Sequence, residues 1–301
     1  MSIIQKAAQR LEELHRAGVD VANVPLAQDV RVTPITSHPV RAMPPAVSTA
    51  APAPVPLAPA RSSAEVQLDL VRLEREGFLV PGSARNELAE EFRHIKQPLL
   101  RAVREGGRRP GNRDALLMVT SALPKEGKTF CAINLALSLA AEVDTSVLLV
   151  DADVVRPSVL DRLGLQEGRG LLDLLTDASL QPADVMLRTN VPKLSLLPAG
   201  TRNQRSTELL ASDAMERLLA ELASRYADRV IIFDTPPLLL TSEARVLASR
   251  LGQVVMVVNA ASTSRAAVTD AFGTVEQCPK VMSVLNRCAE PLNDRRYGYY
   301  Y

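Results

Sequence analysis

The chain has 301 residues, a net charge of +1 at neutral pH and 23% charged residues. This length allows one large or two small domains, and the balanced charge gives no overall field that would favour nucleic acid or a membrane surface. No apolar run approaches the roughly 20 residues of a membrane helix, and the first residues lack a signal peptide's apolar core. Three widely spaced cysteines without metal-binding spacing complete the prediction of a soluble cytoplasmic protein that binds no nucleic acid.

The first 82 residues predict two segments outside the folded domain. Residues 1–18 place apolar side chains at helical spacing and end in a glycine, which predicts an amphipathic helix that docks on its own domain or on a partner. Residues 19–82 are rich in proline and alanine, with eight prolines between positions 34 and 59. Such a composition buries too little apolar surface to fold, so we expect a disordered linker there.

A folded domain is expected over residues 83–292, beginning with a helix. Apolar residues recur at helical spacing from Leu88 to Leu99, and Pro98 should kink or end this helix. Glu90, Arg93 and Lys96 lie three residues apart on its polar side. On its own, this spacing indicates solvated charge pairs.

The stretch from Leu116 to Ala141 predicts a buried strand, a tight loop and a buried helix. Gly127, Lys128 and Thr129 fall where the loop becomes the helix, and unpaired backbone N–H groups and the helix dipole favour phosphate at such a position. Lys128 would reach the phosphates, and the Thr129 hydroxyl would bind Mg²⁺. The complete phosphate-loop motif needs a glycine where Ala122 stands, so this stretch alone also allows an ordinary strand–helix turn.

Further apolar strands are predicted at 146–150, 194–198, 230–233, 253–259 and 281–285, with helical segments between several of them. This alternation predicts an α/β fold with a mainly parallel sheet and helices on both faces. Asp151 and Asp153 follow one strand and Asp234 another, at the edge where parallel sheets hold ligands. A carboxylate there would assist Mg²⁺ or accept a proton from an attacking hydroxyl, although turn or cap aspartates are the simpler interpretation. Asn286 ends the last strand, and its amide is suited to a base edge.

Residues 293–301 form a polar tail with four of the chain's five tyrosines. They are Tyr297, Tyr299, Tyr300 and Tyr301. The tail has no apolar pattern, so we expect it to be mobile. It is either a segment that packs on a groove or a cluster of phosphate acceptors.

Together these motifs resemble the bacterial protein-tyrosine kinases of capsule and exopolysaccharide synthesis, over about residues 80–301. The resemblance is strongest to the soluble tyrosine autokinases of exosortase-associated exopolysaccharide loci. It implies a P-loop fold that binds ATP and Mg²⁺ and phosphorylates the tyrosine tail of another copy. By the resemblance, Asp151 is the base, Asp153 and Asp234 support the metal with Thr129, and Asn286 recognises adenine. The implied nucleotide-binding residues are Lys125, Glu126, Gly127, Lys128, Thr129, Phe130 and Asn286.

The resemblance also implies a homo-oligomeric ring in which the tail of one subunit enters its neighbour's site. Glu90, Arg93 and Lys96 match the family's interface motif, except that Lys96 replaces an arginine and lacks its bidentate fork. The family works with a membrane-spanning chain-length-determinant protein, here a separate chain that residues 1–17 would meet and that would recruit the kinase to the inner membrane. A tyrosine phosphatase is a further partner implied in the same way.

Two departures from the family keep alternatives open. Lys125 stands where relatives commonly have glycine, which would strain the loop if that position needs a positive φ. Val155 stands where many relatives carry arginine. One alternative is an ATPase switch of the partitioning and cell-division-positioning type, but its lysine would fall at position 123, which is Leu123 here. The other is a non-catalytic scaffold that binds nucleotide poorly.

Overall fold

One mixed sheet runs through the middle of the fold, and six of its strands are the apolar runs that the sequence predicts. The computed structural model describes residues 63–82, 86–107, 113–226 and 228–288, and within these ranges the sheet has eight strands. The strands are β1 (Ala64–Val66), β2 (Leu116–Ser121), β3 (Ser146–Asp151), β4 (Leu187–Thr189), β5 (Leu194–Leu197), β6 (Arg229–Asp234), β7 (Gln253–Asn259) and β8 (Val281–Asn286). The predicted N-terminal helix, the linker before residue 63 and the tyrosine tail lie outside the described residues.

The strand order across the sheet is β1-β4-β5-β3-β6-β2-β7-β8. The six strands from β5 onward in this order run parallel, whereas β4 pairs antiparallel with β5 and parallel with β1. This confirms the predicted mainly parallel sheet. Because the carboxyl ends of parallel strands share one edge, the residues that follow β2, β3, β6 and β8 meet there. The register places Asp151 directly beside Asp234.

Helices cover both faces of the sheet, as predicted. The helices are α1 (Leu70–Arg75), α2 (Glu87–Gly106), α3 (Lys128–Ala140), α4 (Val159–Leu163), α5 (Leu171–Thr176), α6 (Pro182–Val185), α7 (Ser206–Ala211), α8 (Asp213–Arg225), α9 (Ser242–Arg250) and α10 (Arg265–Gly273), with a 3₁₀ turn at Arg113–Ala115. Leu116 and Met118 belong to the core formed with α8 and α9, and Leu117 and Val119 to the core formed with α2 and α3. Every residue of β2 is therefore buried, on alternating sides. None of the described helices is both long and apolar enough to cross a membrane.

The loop between β2 and α3 has two residues with left-handed backbone. Gly127 has φ 98° and caps α3 without a side-chain hydrogen bond. Lys125 has φ 65°, the conformation for which strain was expected at this position. A non-glycine residue in this region costs roughly 1–2 kcal/mol. The shape of this loop therefore lowers the stability of the fold by about that amount.

The structure corrects the predicted boundary of the linker. Residues 63–82 were assigned to a disordered linker, but β1 pairs with β4 in this segment and α1 follows, capped by the Asp69 side chain. Leu73 is 0% exposed and Phe78 is buried in the core beside α3. The prolines that suggested disorder end at Pro59, and the strand and the helix after it are too short to show a periodicity. The folded unit therefore begins about twenty residues before the predicted start at 83.

The helix that was expected to end or kink at Pro98 continues to Gly106. Pro98 is exposed, whereas Leu99 and Leu100 after it and Phe92 before it are buried in the core with α3. Burial of apolar side chains on both sides of the proline offsets the loss of one backbone hydrogen bond, which costs about 3 kcal/mol in an isolated helix.

We expect Leu73→Ala to lower the free energy of unfolding by about 2–5 kcal/mol, because it leaves a cavity in a fully buried site. Val71→Ala in the same helix is the matched control, since Val71 is 59% exposed. It should change stability by at most about 0.5 kcal/mol. Urea unfolding of both variants measures the difference. If both variants change the free energy of unfolding by the same small amount, residues 63–82 belong to the linker and not to the folded unit.

We expect Lys125→Gly to raise the free energy of unfolding by about 0.5–1 kcal/mol, because relief of backbone strain exceeds the greater freedom of glycine in the unfolded chain. Lys125→Val should lower it, since a β-branched residue tolerates a positive φ poorly. Gln204→Gly, at an exposed loop residue without positive φ, is the control and should be destabilising. If thermal unfolding shows that the Lys125→Val variant is more stable than the Lys125→Gly variant, Lys125 is not strained.

Candidate phosphate-binding and metal site

The predicted phosphate loop lies at the carboxyl edge of the sheet, beside the ends of β3 and β6. Two contacts join these elements. Lys128 Nζ lies 2.8 Å from Asp153 Oδ2, and Thr129 Oγ1 donates to Asp234 Oδ2 at 2.7 Å. Lys128 and Thr129, both singled out by the sequence, thus hold the first turn of α3 to the ends of β3 and β6.

Lys128 is a nearly buried cation surrounded by carboxylates. Its side chain is 14% exposed. Burial alone would lower the pKa of Lys128, but the carboxylates of Asp234, Asp153 and Asp151 outweigh burial and raise it. The ammonium group therefore stays charged at neutral pH. A fixed positive charge at the start of a helix is suited to phosphate oxygens.

The Thr129 hydroxyl takes part in a short chain of hydrogen bonds. Because it donates its one hydrogen to Asp234, the Ser158 hydroxyl, 3.0 Å away, must be the donor to Thr129. Ser158 was not among the predicted site residues. It follows Pro157 at the start of α4, and its spacing from the aspartates gives no signal in the sequence.

Asp234 has the properties of a metal-supporting carboxylate. Its Oδ1 is buried and has no hydrogen-bond partner among the described residues. Complete burial raises the pKa of Asp234 to about 8, opposed by Lys128. In the described ranges no three His, Cys, Asp or Glu side chains are arranged to hold a metal ion. Mg²⁺ takes few protein ligands and fills its shell with water and phosphate oxygens, so Thr129 and the unpaired oxygen of Asp234 fit that ion.

Asp153 and Asp151 are both buried, and each has partners of its own. Asp153 pairs with Lys128 and not with Thr129. Asp151 Oδ2 accepts the backbone N–H groups of Ser158 and Val159 at 3.0 and 2.9 Å, and Oδ1 accepts that of Asp153 at 3.3 Å. Burial raises the pKa of Asp151 to about 6 although these N–H groups lower it. A carboxylate accepts about four hydrogen bonds, so Asp151 keeps one position for a proton donor.

Glu126 holds the phosphate loop to the end of β7. Its carboxylate is buried and accepts the Leu123 N–H at 2.6 Å, the Asn259 N–H at 3.3 Å and the Thr263 hydroxyl. The sequence predicts Glu126 as part of the nucleotide-binding loop and gives no indication of this bridge. Asn259 and Thr263 were not predicted as site residues.

Asn286 and Phe130, the other predicted nucleotide-binding residues, contact the protein itself. Asn286 Nδ2 donates to the Glu126 carbonyl at 2.8 Å. A Cβ at position 127 would lie 2.0 Å from that nitrogen, so this contact requires glycine there. The Phe130 ring packs against Phe78 with 5.3 Å between centroids. Asn286 thus supports the phosphate loop, and Phe130 anchors the segment that precedes the predicted domain.

The three predicted oligomerisation residues do not form one surface. Glu90 and Arg93 make an exposed ion pair of 3.2 Å. Lys96 is buried, and its Nζ donates to the Ser138 carbonyl and pairs with Glu142, both at 2.8 Å. Within its own chain Lys96 joins α2 to α3. Its assignment to a ring contact stays a prediction.

Comparisons with known proteins point to a single family, although no family model matches the chain. The tyrosine-protein kinase YwqD of Bacillus subtilis is 31% identical over 185 residues, which cover 61% of this chain and 76% of that protein. The succinoglycan biosynthesis transport protein ExoP of Rhizobium meliloti is 29% identical over 205 residues, 67% of this chain but only 25% of ExoP. The solved kinase domain of VpsO is 32% identical with a TM-score of 0.57, covering 67% of this chain and 94% of that domain.

The agreement extends from the sequence to the fold. YwqD is matched over 76% of its length, and the VpsO kinase domain is matched over 94% of its length in structure. ExoP shows that some relatives are about four times longer than the matched part. The chain belongs to the bacterial tyrosine-protein kinases.

Proposed function

We propose that this chain is an ATP-dependent protein-tyrosine autokinase that phosphorylates the C-terminal tyrosines of a second copy. The observation that supports this most is the cluster at the carboxyl edge of the sheet, where Lys128 and Thr129 meet three buried aspartates. A cation for phosphate, a hydroxyl for Mg²⁺ and a carboxylate for a proton are the groups that phosphoryl transfer needs. The four tail tyrosines supply the acceptor.

Each residue has a separate role in this proposal. Lys128 and the backbone of 125–130 bind the ATP phosphates, and bound Mg²⁺ would neutralise their charge and orient them. Thr129 and Asp234 hold that ion, and Ser158 fixes the Thr129 hydroxyl. Asp151 takes the proton of the tyrosine hydroxyl while the phenol oxygen bonds to the γ-phosphorus and ADP leaves. Asn286 remains our candidate for adenine recognition, in addition to its contact with the loop.

The cellular context is proposed from the relatives. ExoP is a succinoglycan biosynthesis transport protein, so we propose for this chain a regulatory role in exopolysaccharide synthesis and export. A ring of copies, a separate membrane-spanning chain-length-determinant protein and a tyrosine phosphatase are the proposed partners. That membrane protein would recruit this kinase from the cytoplasm to the inner membrane, through residues 1–17. Membership of the exosortase-associated subgroup stays a prediction.

The two alternative functions lack a supporting observation. Leu123 is not the lysine that the ATPase switches place in the partner's site. The scaffold hypothesis rested on strain at Lys125, and the strained loop nevertheless places Lys128 and Thr129 against Asp153 and Asp234. We therefore retain the kinase.

The first test is phosphotyrosine mapping of the purified full chain after incubation with Mg·ATP, with a membrane-partner fragment supplied where one is needed. We expect label on one or more of the four tail tyrosines, and Lys128→Ala should abolish it because the phosphates lose their cation. Lys280→Ala, whose partner Asp114 lies away from the phosphate loop, is the matched control and should keep the label. A folded protein without tail phosphotyrosine would refute the kinase, and equal label on Lys128→Ala would indicate a contaminant.

The second test is the pH dependence of autophosphorylation. Only ionised Asp151 accepts a proton, and its pKa is about 6, so the rate should rise with pH through about 6. Asp151→Asn should remove this rise and reduce the rate by about 10²–10⁴-fold. Asp177→Asn changes an exposed carboxylate and should leave the profile intact. Single-turnover rates from Asp151→Asn within about threefold of the native rate would exclude Asp151 as the base.

A further inference from the structure

The loops that follow the six parallel strands carry basic side chains outside the buried site. Six of these are exposed, and none makes an ion pair with a described residue. They are Lys125 after β2, Arg156 after β3, Arg202 and Arg205 after β5, Arg287 after β8 and, directly after the loop that follows β7, Arg265 as the first residue of α10. We call this set the cationic rim.

Exposed acidic side chains are missing from the same described loops. Their two acidic residues, Glu126 and Asp153, are both buried. The whole chain has 34 acidic against 35 basic residues, so the one-sided charge of the rim does not follow from composition. Exposed charges of one sign, unpaired and next to a binding site, attract a ligand of the opposite sign.

The rim is wider than the phosphate loop. Six strands at about 4.8 Å spacing span about 24 Å, the length of about seven extended residues. β5 lies three strands from β2, so Arg202 and Arg205 follow a strand about 14 Å from the strand that leads into the phosphate loop. The rim therefore extends to both sides of β2, with Arg202 and Arg205 after β5 on one side and Arg265 and Arg287 after β7 and β8 on the other. An extended peptide across the edge of the sheet would pass both.

We propose that the cationic rim binds a tyrosine segment that already carries phosphate, so that the preferred acceptor is the partly phosphorylated tail of a second copy. The proposal rests on the kinase function proposed above. Residues 289–301 hold two acidic and two basic side chains, so the unmodified tail offers the rim no net charge. Each phosphotyrosine adds about −1.5 to −2 charges and strong acceptors for arginine. The first phosphorylation would therefore promote the later ones.

The test uses the full chain with its four tail tyrosines changed to phenylalanine, so that no internal acceptor competes. Two peptides of residues 289–301 are compared, one unmodified and one with phosphotyrosine at position 301. Binding is measured by fluorescence anisotropy, and transfer to the remaining tyrosines by mass spectrometry with Mg·ATP. We expect the phosphopeptide to bind at least about tenfold more tightly, with a difference that shrinks as added salt screens the charges.

Charge reversal assigns the effect to the rim. Arg202→Glu with Arg205→Glu should remove the preference for the phosphopeptide and leave the KM for ATP unchanged. The matched control is Arg101→Glu with Arg104→Glu, which changes two exposed arginines of α2 and should keep the preference. Circular dichroism and thermal unfolding show whether each variant is folded. If the double variant is not folded, the single variants Arg202→Glu and Arg205→Glu are tested in its place.

The outcomes separate this proposal from its alternatives. Equal binding of the two peptides, or an unchanged preference in the folded reversal variants, would overturn it. A raised KM for ATP with the peptide preference intact would assign the rim to nucleotide, and tighter binding of anionic vesicles than of phosphopeptide would assign it to a membrane. Binding is measured without turnover, so preferential binding without any transfer would refute the kinase and leave the rim's specificity standing.

Discussion

The site depends on one charge balance, in which the nearly buried Lys128 faces three buried carboxylates. Lys128 pairs directly with Asp153, while Asp151 and Asp234 lie beside it with raised pKa values. Burying an ionised carboxylate costs several kcal/mol unless an opposite charge offsets it, and one ammonium group cannot offset three. The protein retains the cluster by protonation or by accepting a cation. A divalent ion would supply the missing charge, which is the physical reason that this cluster would suit Mg²⁺.

Much of this cluster follows from the sequence because buried parallel strands have an unmistakable pattern. Uninterrupted apolar runs before Asp151 and Asp234 identify strands, and parallel strands bring their carboxyl ends to one edge. The segment at 63–82 could not be recognised in this way. A strand of three residues and a helix of six carry too few positions for a periodicity, and a neighbouring proline-rich stretch dominates the composition. The partner strand β4 is equally short.

Side-chain partners were the least predictable part. The position of a residue on a helix predicts the direction of its side chain but not the atoms that it contacts. Long side chains can also contact atoms that lie beyond the face on which they start. Lys96 therefore points inward to the Ser138 carbonyl of α3, and Asp153 pairs with Lys128 rather than with Thr129. Such contacts join residues that lie in different elements, and Ser138 is 42 positions from Lys96. Spacing within one element contains no information about them.

The phosphate loop lacks glycine at positions 122 and 125, and hydrogen bonds from side chains stabilise its shape. Glu126 binds the loop's own Leu123 N–H and the end of β7, and Asn286 binds the Glu126 carbonyl from the end of β8. Asn259 ends β7 and Asn286 ends β8, so both contacts lie on the side of the sheet from which the chain continues toward its tyrosine tail. The strand that leads to the tyrosine tail therefore also supports the predicted phosphate loop, through Asn286.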